Sequence, residues 1–121
     1  MKKILIVDDQ RQIRRLVAIT LGREDYQIFE AKNGKEAIEI VKVEKPDLII
    51  MDIQMPGGMD GLEATRVLKN DPETKNCCII MLTGKGQEVD REKGFEAGAD
   101  DYFTKPFSPL ELLNKVEEVL G

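Results

Sequence analysis

The sequence predicts an α/β domain built on a doubly wound, five-stranded parallel sheet with helices on both faces. Three observations predict it. Short apolar runs of strand length recur along the chain, each closely followed by polar residues or a turn signal, as suits strands covered on both faces. Segments with helical spacing of apolar residues lie between those runs. The length of 121 residues suits a single core that buries about two thirds of the unfolded surface. Strict alternation of the two element types then favours parallel pairing through crossover helices.

The clearest strands are Lys2 to Val7, Leu48 to Met51 and Cys77 to Leu82, and Tyr26 to Ala31 and Tyr102 to Thr104 are shorter, aromatic-containing candidates. In the first helix Ile13, Leu16, Val17, Thr20 and Leu21 share a face. Ala37, Ile38, Val41 and Val43 do so in the second, and Leu62, Thr65, Arg66 and Leu68 in a more polar third. The fourth, roughly Gln87 to Ala97, is weakened by Gly94, which costs about 1 kcal/mol against alanine in a helix interior; packing through Val89 and Phe95 would hold it. The fifth follows Ser108 as N-cap and Pro109 at the first helical position, with Leu110, Leu113, Val116 and Leu120 as its apolar stripe. Gly22, Asn33-Gly34, Lys45-Pro46, Asp71-Pro72 and Gly98 mark turns.

Composition narrows the chemistry. A formal net charge of -5 argues against a protein built mainly to neutralise nucleic-acid phosphates, though a local basic patch stays compatible with it. The apolar run from Cys77 to Leu82 is too short to span a bilayer, and MKKILIVDD turns acidic where a signal peptide would stay apolar; a cytoplasmic protein is expected. Cys77 and Cys78 are adjacent on a strand, so their side chains point to opposite faces and plain apolar packing is expected of them. The chain has no histidine, which removes His-based zinc sites, Ser-His-Asp triads and Cys-His pairs. Carboxylates, hydroxyls and lysine remain.

Those groups gather at the carboxyl ends of the strands. Asp8 and Asp9 follow the first, Asp52 the third, Thr83 the fourth and Lys105 the fifth. In doubly wound sheets ligands bind at that edge, at the point where strand order reverses. One charged residue after a strand is ordinarily a solvated loop residue or a helix cap, as Asp9 could be. Three carboxylates, a hydroxyl and an ammonium converging from four strands say more. Two unit charges 4 Å apart interact by about 4 kcal/mol at an effective dielectric near 20, so such a cluster needs a counter-cation. Lys105 supplies part of it, and hard oxygen ligands with room for water suit magnesium. Asp52 is best placed as nucleophile, with Asp8 and Asp9 serving the metal, Thr83 donating to one phosphoryl oxygen and Lys105 pairing with another.

Four motifs in order, ILIVDD with Asp8 and Asp9, PDLIIMDIQMP with Asp52, IIMLTG with Thr83 and GADDYFTKPF with Tyr102 and Lys105, resemble the receiver family of two-component response regulators over essentially the whole chain. The resemblance implies a flavodoxin-like (βα)5 fold with strand order 2-1-3-4-5, the order already known for receiver proteins. It implies that Asp52 becomes an aspartyl phosphate, with a phosphohistidine of a sensor histidine kinase or histidine phosphotransfer protein as donor. Asp9 and Asp52 would bind magnesium directly, Asp8 largely through water, and the backbone carbonyl of Gln54 would complete the protein ligands. Gln54 and Lys85 would tune hydrolysis of the acyl phosphate. The Lys105-Pro106 bond would be cis, against an ordinary trans bond as the alternative. Tyr102 would be the aromatic switch residue, turning inward as Thr83 moves, or else a static, half-buried tyrosine. The switched face, helix four, strand five and helix five, would meet a downstream partner, as a monomer or as a phosphorylation-dependent dimer.

One departure stands out: Gly57 and Gly58 in MPGGMDG, where relatives commonly have a single residue between the proline and methionine. The extra residue bears on the loop and the start of helix three more than on the chemistry. With no repeat, linker or low-complexity tract, residues 1–121 read as one receiver unit without an output domain, either a regulator in its own right or part of a longer one. Two other functions compete. A magnesium-dependent phosphohydrolase usually has a second acid two residues after its nucleophile, where this chain has Gln54. A pure interaction domain would not need all five chemical positions filled. The crowding of carboxylates predicts that neutralising Asp9 or Asp52 raises the melting temperature of the metal-free protein; an unchanged or lower value in calorimetry would mean that the carboxylates are not crowded.

Overall fold

Five strands and five helices alternate in the computed structural model, which describes residues 1–22, 25–55, 58–84 and 88–120, with residues 88–90 described by their backbone alone. They are β1 (Lys2–Val7), α1 (Arg11–Leu21), β2 (Tyr26–Ala31), α2 (Gly34–Glu44), β3 (Leu48–Asp52), α3 (Gly61–Asn70), β4 (Cys78–Gly84), α4 (Glu88–Ala97), β5 (Asp101–Lys105) and α5 (Pro109–Leu120). All neighbouring strands pair in parallel in the order β2-β1-β3-β4-β5, so the predicted doubly wound, flavodoxin-like architecture is the observed one. No helix among the described residues is long and apolar enough to cross a membrane.

Two apolar layers hold the helices to the sheet. Side chains alternate across a strand, so Ile4, Ile6, Leu48, Ile50, Ile80 and Leu82 meet Val17 and Leu21 of α1 and Leu112 and Val116 of α5. Leu5, Val7, Ile49, Met51, Ile79 and Met81 meet Ala37 and Val41 of α2 and Ala64 and Leu68 of α3. The same alternation sends Cys78 to the first layer and Cys77 to the second, and both thiols are free. Helix α4 packs on α3 and on β4 and β5, with Gly94 set against Met81. Gln87 lies outside the described residues, as does the side chain of Val89. Phe95 is substantially exposed, but its ring meets Tyr102 edge-on at 5.8 Å between centroids.

The helix boundaries follow local chemistry. Asn33, Asp60 and Ser108 each accept a hydrogen bond from the backbone N–H three residues on, in α2, α3 and α5 respectively, satisfying donors that a helix start leaves open. Gln10 precedes α1 without a side-chain cap, so Asp9 does not serve as that cap. Lys45 ends α2 in the left-handed conformation, φ 48°, immediately before Pro46.

Several sequence-based expectations need correction. Three strands differ in length from their apolar runs, because ladder pairing rather than hydropathy decides their ends. Asp52 pairs with Leu82, and Thr83 and Gly84 pair with Thr104 and Lys105, so Asp52, Thr83 and Lys105 lie within strands and not after them. Cys77 precedes β4, its N–H bonded instead to the Thr74 carbonyl. Leu16, Val43 and Leu110 are exposed (41%, 78% and 66%), and Arg66 is exposed too. Four helices bury an apolar pair four residues apart, Val17 and Leu21 in α1, Ala37 and Val41 in α2, Ala64 and Leu68 in α3, Leu112 and Val116 in α5. A neighbour one or two positions away is carried 100° or 200° around the axis into solvent. Accordingly, Leu112→Ala should lose about 2–5 kcal/mol in urea denaturation and Leu110→Ala less than about 1 kcal/mol; the reverse ranking would place the stripe where the sequence put it.

Candidate functional site

The carboxyl edge of the sheet gathers an acidic cluster around one ammonium. Adjacent parallel strands β1 and β3 bring Asp8, directly after Val7, beside Asp52 at the end of β3. Lys105 reaches them from the end of β5, with Nζ 2.9 Å from Asp8 Oδ2 and 3.3 Å from Asp52 Oδ2. The rung opposite Lys105 on β4 is Gly84, which has no side chain to block that crossing. Asp8 is fully buried and its other oxygen accepts the Gln10 N–H at 2.9 Å. Asp52 is 6% exposed and Asp9 is exposed. A cleft of about 250 Å³ opens over them, lined by Asp9, Gln10, Asp52, Ile53, Gln54, Gly84 and Lys105.

Strand phase divides the predicted residues between the two faces. Asp52 is in phase with Leu48 and Ile50, and Lys105 with Phe103, on the side of α1 and α5. Thr83 is in phase with Ile79 and Met81, and pairs across to the Thr104 rung beside Tyr102, on the side of α2, α3 and α4. Thr83 is buried next to Gly84 and does not line the cleft. Tyr102 stands farther out: Arg91 Nη1 donates to its hydroxyl at 3.0 Å, and the guanidinium lies 4.6 Å from the ring centroid. The Lys105–Pro106 peptide is cis. Lys85 lies outside the described residues.

Electrostatics follow from this packing. Burial pushes the Asp52 carboxyl up from 3.8 to about 6, the nearby Asp8 adds to the rise, and Lys105 opposes it. Burial works against the charged form of Lys105, but its hydrogen bond to Asp8 and the charges of Asp52 and Asp8 outweigh that and leave it raised. Asp8, Asp9 and Asp52 each offer a carboxylate oxygen, all within 4.8 Å of one another. An all-oxygen, anionic donor set beside a cleft with room for water fits a hard divalent cation such as magnesium.

Three features of this edge were not found from sequence. Gly61, at the start of α3, packs so close to β3 that a Cβ there would run into the Asp52 carbonyl oxygen, and its N–H donates to the Ile53 carbonyl at 3.2 Å; the absence of a side chain lets α3 begin directly against the cluster's central strand. The glycine after a capping Asp60 was a visible signal. Gly84 and Arg14 gave none, since the first acts through a cross-strand rung and the second through a contact with the Asp8 carbonyl. At the extra glycine, Gly58 takes φ +116° in open space, a conformation that glycine adopts without penalty. Asp60 still caps α3, while Pro56 and Gly57 lie outside the described residues.

Fold and cluster together define a doubly wound α/β domain with a carboxylate cluster and a lysine at the carboxyl edge of its sheet, and comparison with known proteins identifies its family. Residues 4–117 match the family model of the response regulator receiver domain; the chain belongs to that family. It is 51% identical over 118 residues to the transcriptional regulatory protein ResD of Bacillus subtilis, covering 98% of this chain and 48% of ResD. It is 47% identical to the phosphate regulon transcriptional regulatory protein PhoB of Pseudomonas aeruginosa, covering 98% and 52%. The chain thus spans about half the length of these relatives. Among solved structures, a putative response regulator from Chloroflexus aurantiacus superimposes with a TM-score of 0.92 at 36% identity, covering 98% of this chain and 97% of that one. Chemotaxis protein CheY4 of Vibrio cholerae does so with 0.91 at 34% identity, covering 98% of each.

The raised Asp52 pKa has a definite sign. Between the unfolded value of 3.8 and the folded value of about 6, the folded protein keeps a proton that the unfolded chain has released, so stability from this group is present at low pH and falls as pH rises through that window. Above it the cost is complete, about 3 kcal/mol at 1.36 kcal/mol per unit. Without metal, the stability gained by Asp52→Asn should therefore grow from pH 4 to pH 6 and level off above; a gain independent of pH in denaturation series would show that Asp52 titrates normally.

Proposed function

We propose that this domain is a phosphoacceptor switch in which Asp52 takes a phosphoryl group from a phosphohistidine on a sensor histidine kinase or histidine phosphotransfer protein. The observation that carries this reading is the Asp8, Asp52 and Lys105 constellation, with Asp9 on its rim, at the mouth of a cleft. A carboxylate oxygen of Asp52 attacks phosphorus, the P–N bond breaks, and the imidazole leaves with the electron pair. Residues 1–121 contain no histidine, so the donor histidine lies outside them.

Lys105 is within reach to pair with a phosphoryl oxygen once the group is on Asp52. Asp9 and Asp52 would hold magnesium directly, Asp8 largely through water, with the Gln54 backbone carbonyl as a further ligand. The metal would offset carboxylate charge and bind phosphoryl oxygens. Thr83 donates to the phosphoryl group as β4 adjusts, and Tyr102 follows by leaving its outward contacts with Arg91. The face of α4, β5 and α5 then changes for a downstream partner. Hydrolysis of the aspartyl phosphate, tuned by residues 54 and 85, resets the switch.

Residues 1–121 act as one receiver unit that catalyses only its own phosphorylation and dephosphorylation, with no substrate turned over for release, in the cytoplasm where such donors work. The relatives ResD and PhoB are named as transcriptional regulators, so they lend no support to an action apart from nucleic acid, and the output of the whole protein is left to the partner of the α4, β5 and α5 face.

Incubation with magnesium and acetyl phosphate should add one phosphoryl mass, and beryllofluoride should perturb the spectrum of the same site; neither change occurring would sink this function. Asp52→Asn should abolish labelling, and label that persists in that variant would put the acceptor elsewhere. Multiple turnover on small phosphate esters would favour a hydrolase instead.

A further inference from the structure

Arg14 is the one guanidinium of α1 seen to reach the backbone of the acidic loop. Its Nη1 donates to the Asp8 carbonyl oxygen at 2.7 Å, and its Nε donates to Glu30 Oε1 on β2 at 3.2 Å. The side chain is largely buried, at 16% exposure, whereas Arg11 and Arg15 of the same helix are exposed. The carbonyl it holds belongs to the peptide that joins Asp8 to Asp9. Asp8 is otherwise pinned on its amide side, where its N–H meets the Ala31 carbonyl at 3.1 Å, and through Oδ1, which accepts from Gln10. Asp9 is exposed on the cleft rim, and its backbone N–H belongs to that same peptide.

We propose that Arg14 is a positioning residue for the acidic cluster: by fixing the Asp8–Asp9 peptide between α1 and β2, it aims the Asp9 carboxylate at the place where a divalent cation binds. A planar guanidinium can bond two acceptors at a fixed angle, which an ammonium cannot do. Without it, the peptide can rotate and carry Asp9 away while both apolar layers stay intact. This inference rests on the metal-dependent function proposed above and adds a residue that never touches metal or phosphoryl group.

The test is magnesium affinity of the intact protein by calorimetry, with no phosphodonor present, alongside melting temperature without metal. Arg14→Gln should weaken magnesium binding by about 10-fold or more, in the range seen when outer partners of metal ligands are removed, with little change in melting temperature. Arg14→Lys should fall between that variant and the parent protein. Arg14→Gln binding magnesium within about twofold of the parent overturns the proposal. If Arg14→Gln does not fold, Arg14→Lys decides: affinity several-fold weaker at an unchanged melting temperature supports positioning, and parental affinity overturns it. A parent protein that binds no magnesium overturns the function above together with this inference, while a parent that binds and variants that match it overturn only the role of Arg14.

Discussion

Everything at the functional edge depends on the ammonium of Lys105 standing between two carboxylates that the fold forces together. Asp8 and Asp52 sit at the ends of neighbouring strands because β1 and β3 are paired in parallel, and both are almost wholly removed from water. Like charges some 4 Å apart cost about 4 kcal/mol at a dielectric near 20. Lys105, in contact with both, offsets that repulsion from the edge strand β5. Its pairing is itself partly buried, so its value lies in arranging charge and not in adding stability. Burial above all, with Asp8 adding to it, still leaves the Asp52 carboxyl raised against the opposing pull of Lys105. An all-oxygen, anionic cluster of this kind fits a hard divalent cation.

Strand phase gives the site two sides. Asp52 and Lys105 are in phase with the layer beneath α1 and α5, while Thr83 and Tyr102 are in phase with the layer beneath α2, α3 and α4. Thr83 is buried one residue before the glycine that lines the cleft, and Tyr102 is held on the far side by Arg91 and Phe95. Under the proposed function, a displacement at Thr83 acts first on the packing beside Tyr102 and α4. Thr83 and Tyr102 thus lie on the layer opposite Asp52 and Lys105.

The alternating pattern, the parallel pairing and the edge that gathers Asp8, Asp9, Asp52 and Lys105 were legible because they depend on local rules: apolar runs of strand length, helical periodicity, and the fact that parallel strands end on the same side. The Ser108 cap of α5 was legible for the same reason, since a cap is a contact three residues long. Leu110 and Val43 misled because periodicity says that a helix has an apolar face without saying how wide the neighbouring layer is. The carboxyl ends of β3, β4 and β5 moved outward because a ladder is completed by the strand next door, which hydropathy does not see.

By itself the sequence determined the fold class, the family and the identity of the charged groups at the edge, since each is written in short motifs and periodic spacing. Only the tertiary structure decided that Asp8 is the buried acid and Asp9 the exposed one, that Gly84 clears the path for Lys105, that Gly61 lets α3 abut Asp52, and that Arg14 grips the peptide between the two acids. Those are contacts between elements distant along the chain. They depend on how far apart the layers settle and which rung faces which, and no local pattern of residues encodes that distance.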